Sequence, residues 1–328
     1  MREWLYGRGG YYRRAKIGKE GDFYTSVSAG GYFGASIAEF LVRFLQEGRA
    51  GFVELGASRG ELISDVAEYV RQYYPEAFEK LRWVIVEPLE ELRSLQRLWW
   101  ESRLKGVELE IYSSLEELRD SRLFFVANEL FDAFPCELYR EGEQGFVNEH
   151  GEVVFATASE ELRARAKAMN MERGELGMGV REFVDSLRDV AQDWLFLTFD
   201  YGEDYARNEF SVRIFKDHQV FNLNDFMRDI RPFFGVSDLT SDVNFAELTS
   251  FFERAGARRI YFSRENRALL EMGLIRAIEQ KSAHLSPKEH AKEMMKVRSL
   301  LDPGLLGERF KCACFAKGEC VQKLFLTL

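Results

Sequence analysis

The chain has 328 residues, 46% hydrophobic and 30% charged, which is enough apolar side chain to bury a full core and too much for a disordered polymer. A formal net charge of −9 argues against a nucleic-acid-binding surface, because neutralising phosphates takes a positive field, and it suits a basic partner such as an arginine-bearing protein. Four cysteines, Cys136, Cys312, Cys314 and Cys320, are too few and too clustered for a disulfide framework, which points to a reducing compartment.

At the start, Met1-Arg2-Glu3-Trp4 opens no apolar run of signal-peptide length, and little room for a transit peptide precedes Gly21. No later segment has the uncharged length to span a bilayer, so no membrane insertion and a cytoplasmic location are expected. Gly7 to Ser28, rich in Gly, Tyr and basic residues, reads as an ordered loop or arm. Phe33, Ile37, Phe40, Leu41, Phe44 and Leu45 recur at helical spacing, and Gly48 is placed to end that helix. Gly51 to Gly56 is a short apolar strand running into a glycine turn, followed by a helix over Glu61 to Tyr74. A second strand, Trp83 to Glu87, leads to a helix over Leu89 to Leu104. Further strands are expected at Val107 to Tyr112, Arg122 to Ala127 and Asp193 to Phe199. Alternating strands and helices predict an α/β fold, Rossmann-like, with a mainly parallel sheet covered on both faces.

Between the fourth and fifth of these strands, Cys136 to Thr157 alternates around Gly142 to Gly145 as a hairpin does, and Glu160 to Arg173 is helical and highly charged, a solvated face. Phe245 to Ala255 is an amphipathic helix, Arg258 to Ser263 a strand, Asn266 to Leu301 one long helical stretch, and Phe310 to Phe315 a final strand. Cys312, Cys314 and Cys320 have no second pair and no nearby His, so they read as small apolar residues rather than zinc ligands, and no metal is expected. The expected organisation is a single domain over residues 1–328, with an N-terminal arm at about 1–30 and inserted cap segments at about 136–190 and 264–308.

In a doubly wound sheet, ligands sit beyond the carboxyl ends of the strands. The first such loop, Glu54-Leu55-Gly56-Ala57-Ser58-Arg59-Gly60, lets backbone approach a ligand at Gly56 and Gly60, but it is not G-x-G-x-x-G. Glu87 ends the next strand, where a carboxylate can accept from both ribose hydroxyls of NAD or of S-adenosylmethionine; capping the following helix would explain it equally. Asn128, Glu129 and Asp132 follow the very apolar fourth strand, where polar groups make either an active-site edge or helix caps. Asp200-Tyr201-Gly202 after the fifth strand is a site wall or a plain turn.

Several motifs then match one family in order: Gly21-Asp22-Phe23-Tyr24-Thr25-Ser26, Phe33-Gly34, Val53-Glu54-Leu55-Gly56 with Arg59-Gly60, and Ala127-Asn128-Glu129-Leu130-Phe131-Asp132-Ala133 with Pro135. Asp200-Tyr201-Gly202, Asp238-Leu239-Thr240 with Val243 and Phe245, and Gly307 with Phe310-Lys311 continue the match over nearly the whole chain. The chain resembles the MidA family of class I methyltransferases, which includes a mitochondrial arginine methyltransferase that assists complex I assembly. The resemblance implies a Rossmann-like core, S-adenosylmethionine as cofactor and a protein arginine as methyl acceptor, with a respiratory complex I subunit among the candidate substrates and oligomerisation open. By position it implies that Glu54, Gly56 and Gly60 line the cofactor, that Glu87 holds its ribose, that Thr25 and Ser26 approach it from the arm, and that Asn128, Glu129 and Asp132 stand at the acceptor side. The family commonly has Gly-Pro-Gly-Arg-Gly where this chain has Gly56-Ala57-Ser58-Arg59-Gly60, and His where it has Asp242. These departures keep open a second reading, an assembly factor or binding module that retains the fold without catalysis; an NAD-dependent dehydrogenase is the remaining enzymatic alternative.

Overall fold

The computed structural model describes residues 1–13, 31–45, 48–216, 219–302, 307 and 309–318. Their contacts gather them into two compact units. One draws on residues 1–13, Glu129–Asp185 and Asp200–Phe251, and the other on Ser186–Phe199 with the described residues of 31–128 and 252–318. No helix among the described residues is long and apolar enough to cross a membrane.

The larger unit is built on strands β1 (Ala50–Leu55), β2 (Leu81–Val86), β3 (Glu110–Tyr112), β4 (Asp120–Asn128), β5 (Ala191–Glu203), β6 (Arg258–Arg264) and β7 (Phe310–Lys317), in the order β6-β7-β5-β4-β1-β2-β3. β1 pairs in parallel with β2 and with β4, β2 with β3, and β4 with β5, while β6 and β7 run antiparallel. From β1 the chain steps outward to β2 and β3 on one side and to β4 and β5 on the other, which makes the β1/β4 boundary a topological switch point. All six residues of β1 are buried, so the strand is covered on both faces and does not alternate between core and solvent.

Helices α1 (Tyr32–Leu45), α2 (Glu61–Tyr73) and α3 (Glu90–Arg103) belong to this unit and match the periodicity of their sequences. Phe40 and Phe44 of α1 meet Phe124 of β4 edge-on at 5.6 and 5.4 Å, and Phe52 of β1 stacks on the same ring at 5.6 Å. Cys312 and Cys314 are buried on β7, where loss of solvent pushes both thiols well up; Cys320 lies outside the described residues.

The single long helix expected over Asn266 to Leu301 is three: α4 (Glu265–Met272), α5 (Leu274–Ser282) and α6 (Pro287–Leu301). Gly273, at φ +113°, takes a left-handed conformation that ends α4. Ser286 starts α6 with a capping box, its hydroxyl accepting from the Glu289 amide while the Glu289 carboxylate accepts from its own.

In the smaller unit the expected hairpin becomes three strands, Cys136–Arg140, Glu143–Val147 and Val153–Thr157. A fourth, Arg173–Gly177, joins them on the far side of Cys136–Arg140. Its Arg-Gly-Glu-Leu-Gly sequence has little strand propensity, so the pairing partner decides its conformation. Gln219–Asn222, Arg213–Lys216 and Asp238–Thr240 form a second antiparallel sheet that the sequence pattern did not announce. Its core includes Trp4, Leu5, Ile214, Phe226 and Leu239, and Trp4 donates its indole N–H to the Ser237 carbonyl at 2.8 Å. The N-terminal stretch is therefore partly helical, at Arg2–Tyr6, and Thr25 and Ser26 lie outside the described residues.

Phe252 is fully buried against Trp194, Phe196 and Phe315, with ring centroids at 6.1, 5.1 and 3.9 Å. Phe252→Ala is expected to remove about 3–5 kcal/mol of stability. Urea unfolding followed by tryptophan fluorescence measures it, and a loss near zero would mean that this cluster is not the support of β5 and β7.

Candidate functional site

β1 ends in a turn where Gly56, Ser58 and Gly60 take φ values of +67°, +50° and +85°. The glycines adopt these freely, whereas Ser58 carries a strain of roughly 1–2 kcal/mol for its Cβ. The Gly60 amide donates to the Ala57 carbonyl at 2.6 Å and closes the turn into α2. Beneath it Glu54, only 4% exposed, accepts from the Ile63 amide at 2.9 Å, satisfying one of the donors that the first turn of a helix leaves free. Burial raises its carboxyl from an ordinary 4.5 to about 8 in spite of that bond.

Glu87 follows β2 directly. Its Oε1 accepts from the Leu89 amide at 2.9 Å, and its Oε2 faces the side-chain nitrogen of Gln96 at 3.4 Å. Burial raises this carboxyl too, against the pull of those two donors and of Arg93. Gln96, from α3 and fully buried, also donates to the Ser58 carbonyl at 3.0 Å. Its Oε1 is buried with no hydrogen-bond partner among the described residues. A Cβ at Gly60 would stand 3.6 Å from Ile85 Cδ1 and 3.8 Å from Gln96 Cγ, so the space beside the turn is walled by those two side chains. Asn128 ends β4, half-buried. Thus Glu54, Gly56, Gly60, Glu87 and Asn128 come together at the carboxyl ends of β1, β2 and β4 in one unit. A buried acid, a left-handed turn and an orphaned amide oxygen fit a nucleoside with its hydroxyl donors.

In the smaller unit, Glu129 holds φ +53°, left-handed although it is not glycine, as are Glu141 and Asn170. The Phe131 and Asp132 amides both donate to Asp200 Oδ2, at 2.8 and 3.3 Å, and the Tyr201 amide donates to Oδ1 at 2.9 Å. The Tyr12 hydroxyl donates to Asp238 Oδ1 at 3.1 Å, and that of Tyr6 to the Ala133 carbonyl at 3.0 Å. Asp132, Asp200 and Asp238 are all buried. Burial first, then the charges of Glu129 and Asp238, drive the Asp132 carboxyl well up, with Arg213 opposing. Asp200 rises for the same first reason and then because of Asp132. Asp132 Oδ1 has no hydrogen-bond partner among the described residues. Acids so placed favour a cation, which would relieve both the desolvation and the mutual repulsion.

Asp242, where the resemblance leads one to expect His, accepts from Arg207 at 2.7 Å and from Arg213 at 2.5 Å. It works as the centre of an ion-pair network, with the Arg213 guanidinium also 5.1 Å from the Tyr201 ring. Gln96, Tyr12 and Asp238 were not foreseen as site residues. Gln96 lies nine residues after Glu87 on a charged helix with no motif around it, Tyr12 sits in an aperiodic arm, and Asp238 belongs to a motif that by itself carries no chemistry.

A family model described as "Putative S-adenosyl-L-methionine-dependent methyltransferase" matches residues 36–263. Among curated relatives, Protein arginine methyltransferase NDUFAF7, mitochondrial, of Danio rerio is 24% identical over 344 residues, covering 92% of this chain and 78% of that protein. The NDUFAF7 homolog of Caenorhabditis elegans is 25% identical, with coverages of 92% and 76%. A Burkholderia thailandensis structure solved with S-adenosyl-homocysteine bound superposes with a TM-score of 0.82 at 22% identity, covering 96% of this chain and 86% of that one. This likeness bears out the expected Rossmann-like methyltransferase fold. The cytoplasmic expectation is corrected, because the curated relatives from Danio rerio, Caenorhabditis elegans and Drosophila melanogaster are all named as mitochondrial. Cysteine usage reports how reducing a compartment is, and it does not distinguish one reducing compartment from another.

Ser58→Gly should relieve the strain of roughly 1–2 kcal/mol and forfeit roughly 0.4–1 kcal/mol to the freer unfolded chain, a net gain between about 0 and 1.6 kcal/mol in urea unfolding. A destabilised variant would show that the serine side chain contributes more than its backbone strain removes. For Glu54, the folded carboxyl keeps its proton between 4.5 and about 8, where the unfolded one has lost it. Stability therefore declines as pH rises across that window. Glu54→Gln, which can still accept from Ile63, should flatten the decline when urea midpoints at pH 5 and pH 8 are compared; parallel declines in the two proteins would refute it.

Proposed function

The chain belongs to the family of S-adenosyl-L-methionine-dependent methyltransferases, and from that premise we propose that it methylates arginine side chains of a protein substrate. Support comes from relatives named as protein arginine methyltransferases and from one observation above all, the orphaned Oδ1 of Asp132 in a buried cluster of carboxylates. A planar guanidinium carries several fixed N–H donors and a permanent charge, so it satisfies such oxygens better than a compact ammonium does.

When bound, S-adenosylmethionine supplies an electrophilic methyl group on a sulfonium. In the proposed mechanism Glu87 receives the ribose hydroxyls, and the turn from Gly56 to Gly60, with Glu54 anchoring its helix, brings backbone close to the nucleoside. Asn128, at the end of β4, contributes a polar side chain at the same edge. Glu129 and Asp132 hold the acceptor guanidinium and draw its charge toward the nitrogens they face, which leaves the third nitrogen richer in electron density, and one of these carboxylates takes the proton that this nitrogen sheds when it is methylated. Asp200 serves indirectly, since its two oxygens fix the backbone of Phe131, Asp132 and Tyr201. Respiratory complex I subunits are the first acceptor proteins to assay, on the strength of the family resemblance.

Incubation of the full chain with methyl-labelled cofactor and arginine-bearing peptide pools should label arginine, and matched lysine pools should stay unlabelled. Label on lysine alone would overturn the acceptor assignment. Glu129→Gln should then lower turnover about a hundredfold or more, the loss usual when one preorganised charged group is removed, with S-adenosyl-homocysteine affinity unchanged. Undiminished turnover would exclude Glu129 from the mechanism.

A further inference from the structure

Three parts of the larger unit meet at one buried amide. Gln96 is completely buried, and its nitrogen lies 3.0 Å from the Ser58 carbonyl and 3.4 Å from the Glu87 carboxylate. Both neighbours are acceptors, so the amide must turn its NH2 toward them. That choice fixes where the other end goes: Oε1 is left buried and, among the described residues, without a donor. Native proteins rarely leave a buried side-chain acceptor unmet, and one that is unmet in the free chain marks the place of a water or a ligand donor. Gly60 of the turn lies directly against this side chain, since a Cβ there would come to 3.8 Å from Gln96 Cγ.

We propose that Gln96 is a cofactor-binding residue whose Oε1 accepts a hydrogen bond from a ribose hydroxyl, while its NH2 ties the ribose-binding carboxylate of Glu87 to the Ser58 carbonyl of the turn. The inference rests on the reading of Glu87 as the ribose acid. A vicinal diol offers two hydroxyl donors, and Glu87 with Gln96 presents two kinds of acceptor to meet them. The tie to Ser58 has a consequence for the turn itself. It holds the carbonyl of the residue that adopts φ +50° without being glycine, so the left-handed backbone is secured by a side chain from another helix.

A purely structural strut would share the contacts to Ser58 and Glu87 but would not distinguish one ribose from another. Calorimetric titration of the full chain can therefore separate the roles, using S-adenosyl-homocysteine and its 2′-deoxy and 3′-deoxy ribose analogues against wild type and Gln96→Leu. The variant should bind S-adenosyl-homocysteine roughly tenfold or more weakly. For one of the two deoxy analogues wild type and variant should bind alike, because the hydroxyl that Gln96 meets is already gone. Equal affinity of both proteins for S-adenosyl-homocysteine, or one common loss across all three ligands, would overturn the assignment. If Gln96→Leu does not fold, Gln96→Met, close in shape and lacking the amide, carries the same comparison. A wild type that binds none of the three would instead overturn the cofactor reading and this inference with it, whereas tight wild-type binding with an indifferent variant overturns Gln96 alone.

Discussion

The double pairing of β1 sets the geometry on which the candidate cofactor site depends. Leu55 stands opposite Val86 on one side and Ala127 on the other. The next residue along each strand is Gly56, Glu87 or Asn128, so three stretches far apart in sequence place these residues at the same level of the sheet. A slip of one residue in either pairing would move one of the three off that level and turn its strand's side chains to the opposite face. The rings of Phe52 and Phe124, packed between β1, β4 and α1, help to hold that register in the core.

In each unit the chain holds conformations and charges that folding alone would not select. Ser58 and Glu129 occupy left-handed backbone without being glycine, and Glu54, Glu87, Asp132 and Asp200 are carboxyls raised by burial. Each costs stability that the aromatic cores must offset. Such features concentrate where a ligand is to be met, because a group already desolvated and oriented needs no reorganisation when its partner arrives. Asp242 shows the contrast: only partly buried, it is held by two guanidiniums, and its charge is matched within the protein.

The legible parts of the fold were those with a local signature. Leu123 to Ala127 is an unbroken apolar run that stops at Asn128, and Phe52 to Leu55, apolar but for Glu54, stops at Gly56, which locates each strand and its end. The sheet of Arg213–Lys216, Gln219–Asn222 and Asp238–Thr240 was not legible, because its strands have no more than four residues and derive their stability from one another. The break of the long helix at Gly273 and at Ser286-Pro287 was written in the residues, yet apolar periodicity continues across both points and masked it.

The sequence by itself determined the alternation of strands and helices, the glycine turn, the acid at the end of β2 and the motif after β4, since each follows from period, propensity or chemistry within a few residues. Only the tertiary structure decided that Ser58 must be left-handed, that Gln96 reaches both Ser58 and Glu87, and that Asp132 shares its surroundings with Asp200, Asp238 and Tyr12. Those outcomes depend on burial and, apart from the Gln96–Glu87 contact, on partners dozens to hundreds of residues away. Desolvation and the satisfaction of polar groups are properties of the packed neighbourhood, and no local stretch of sequence carries them.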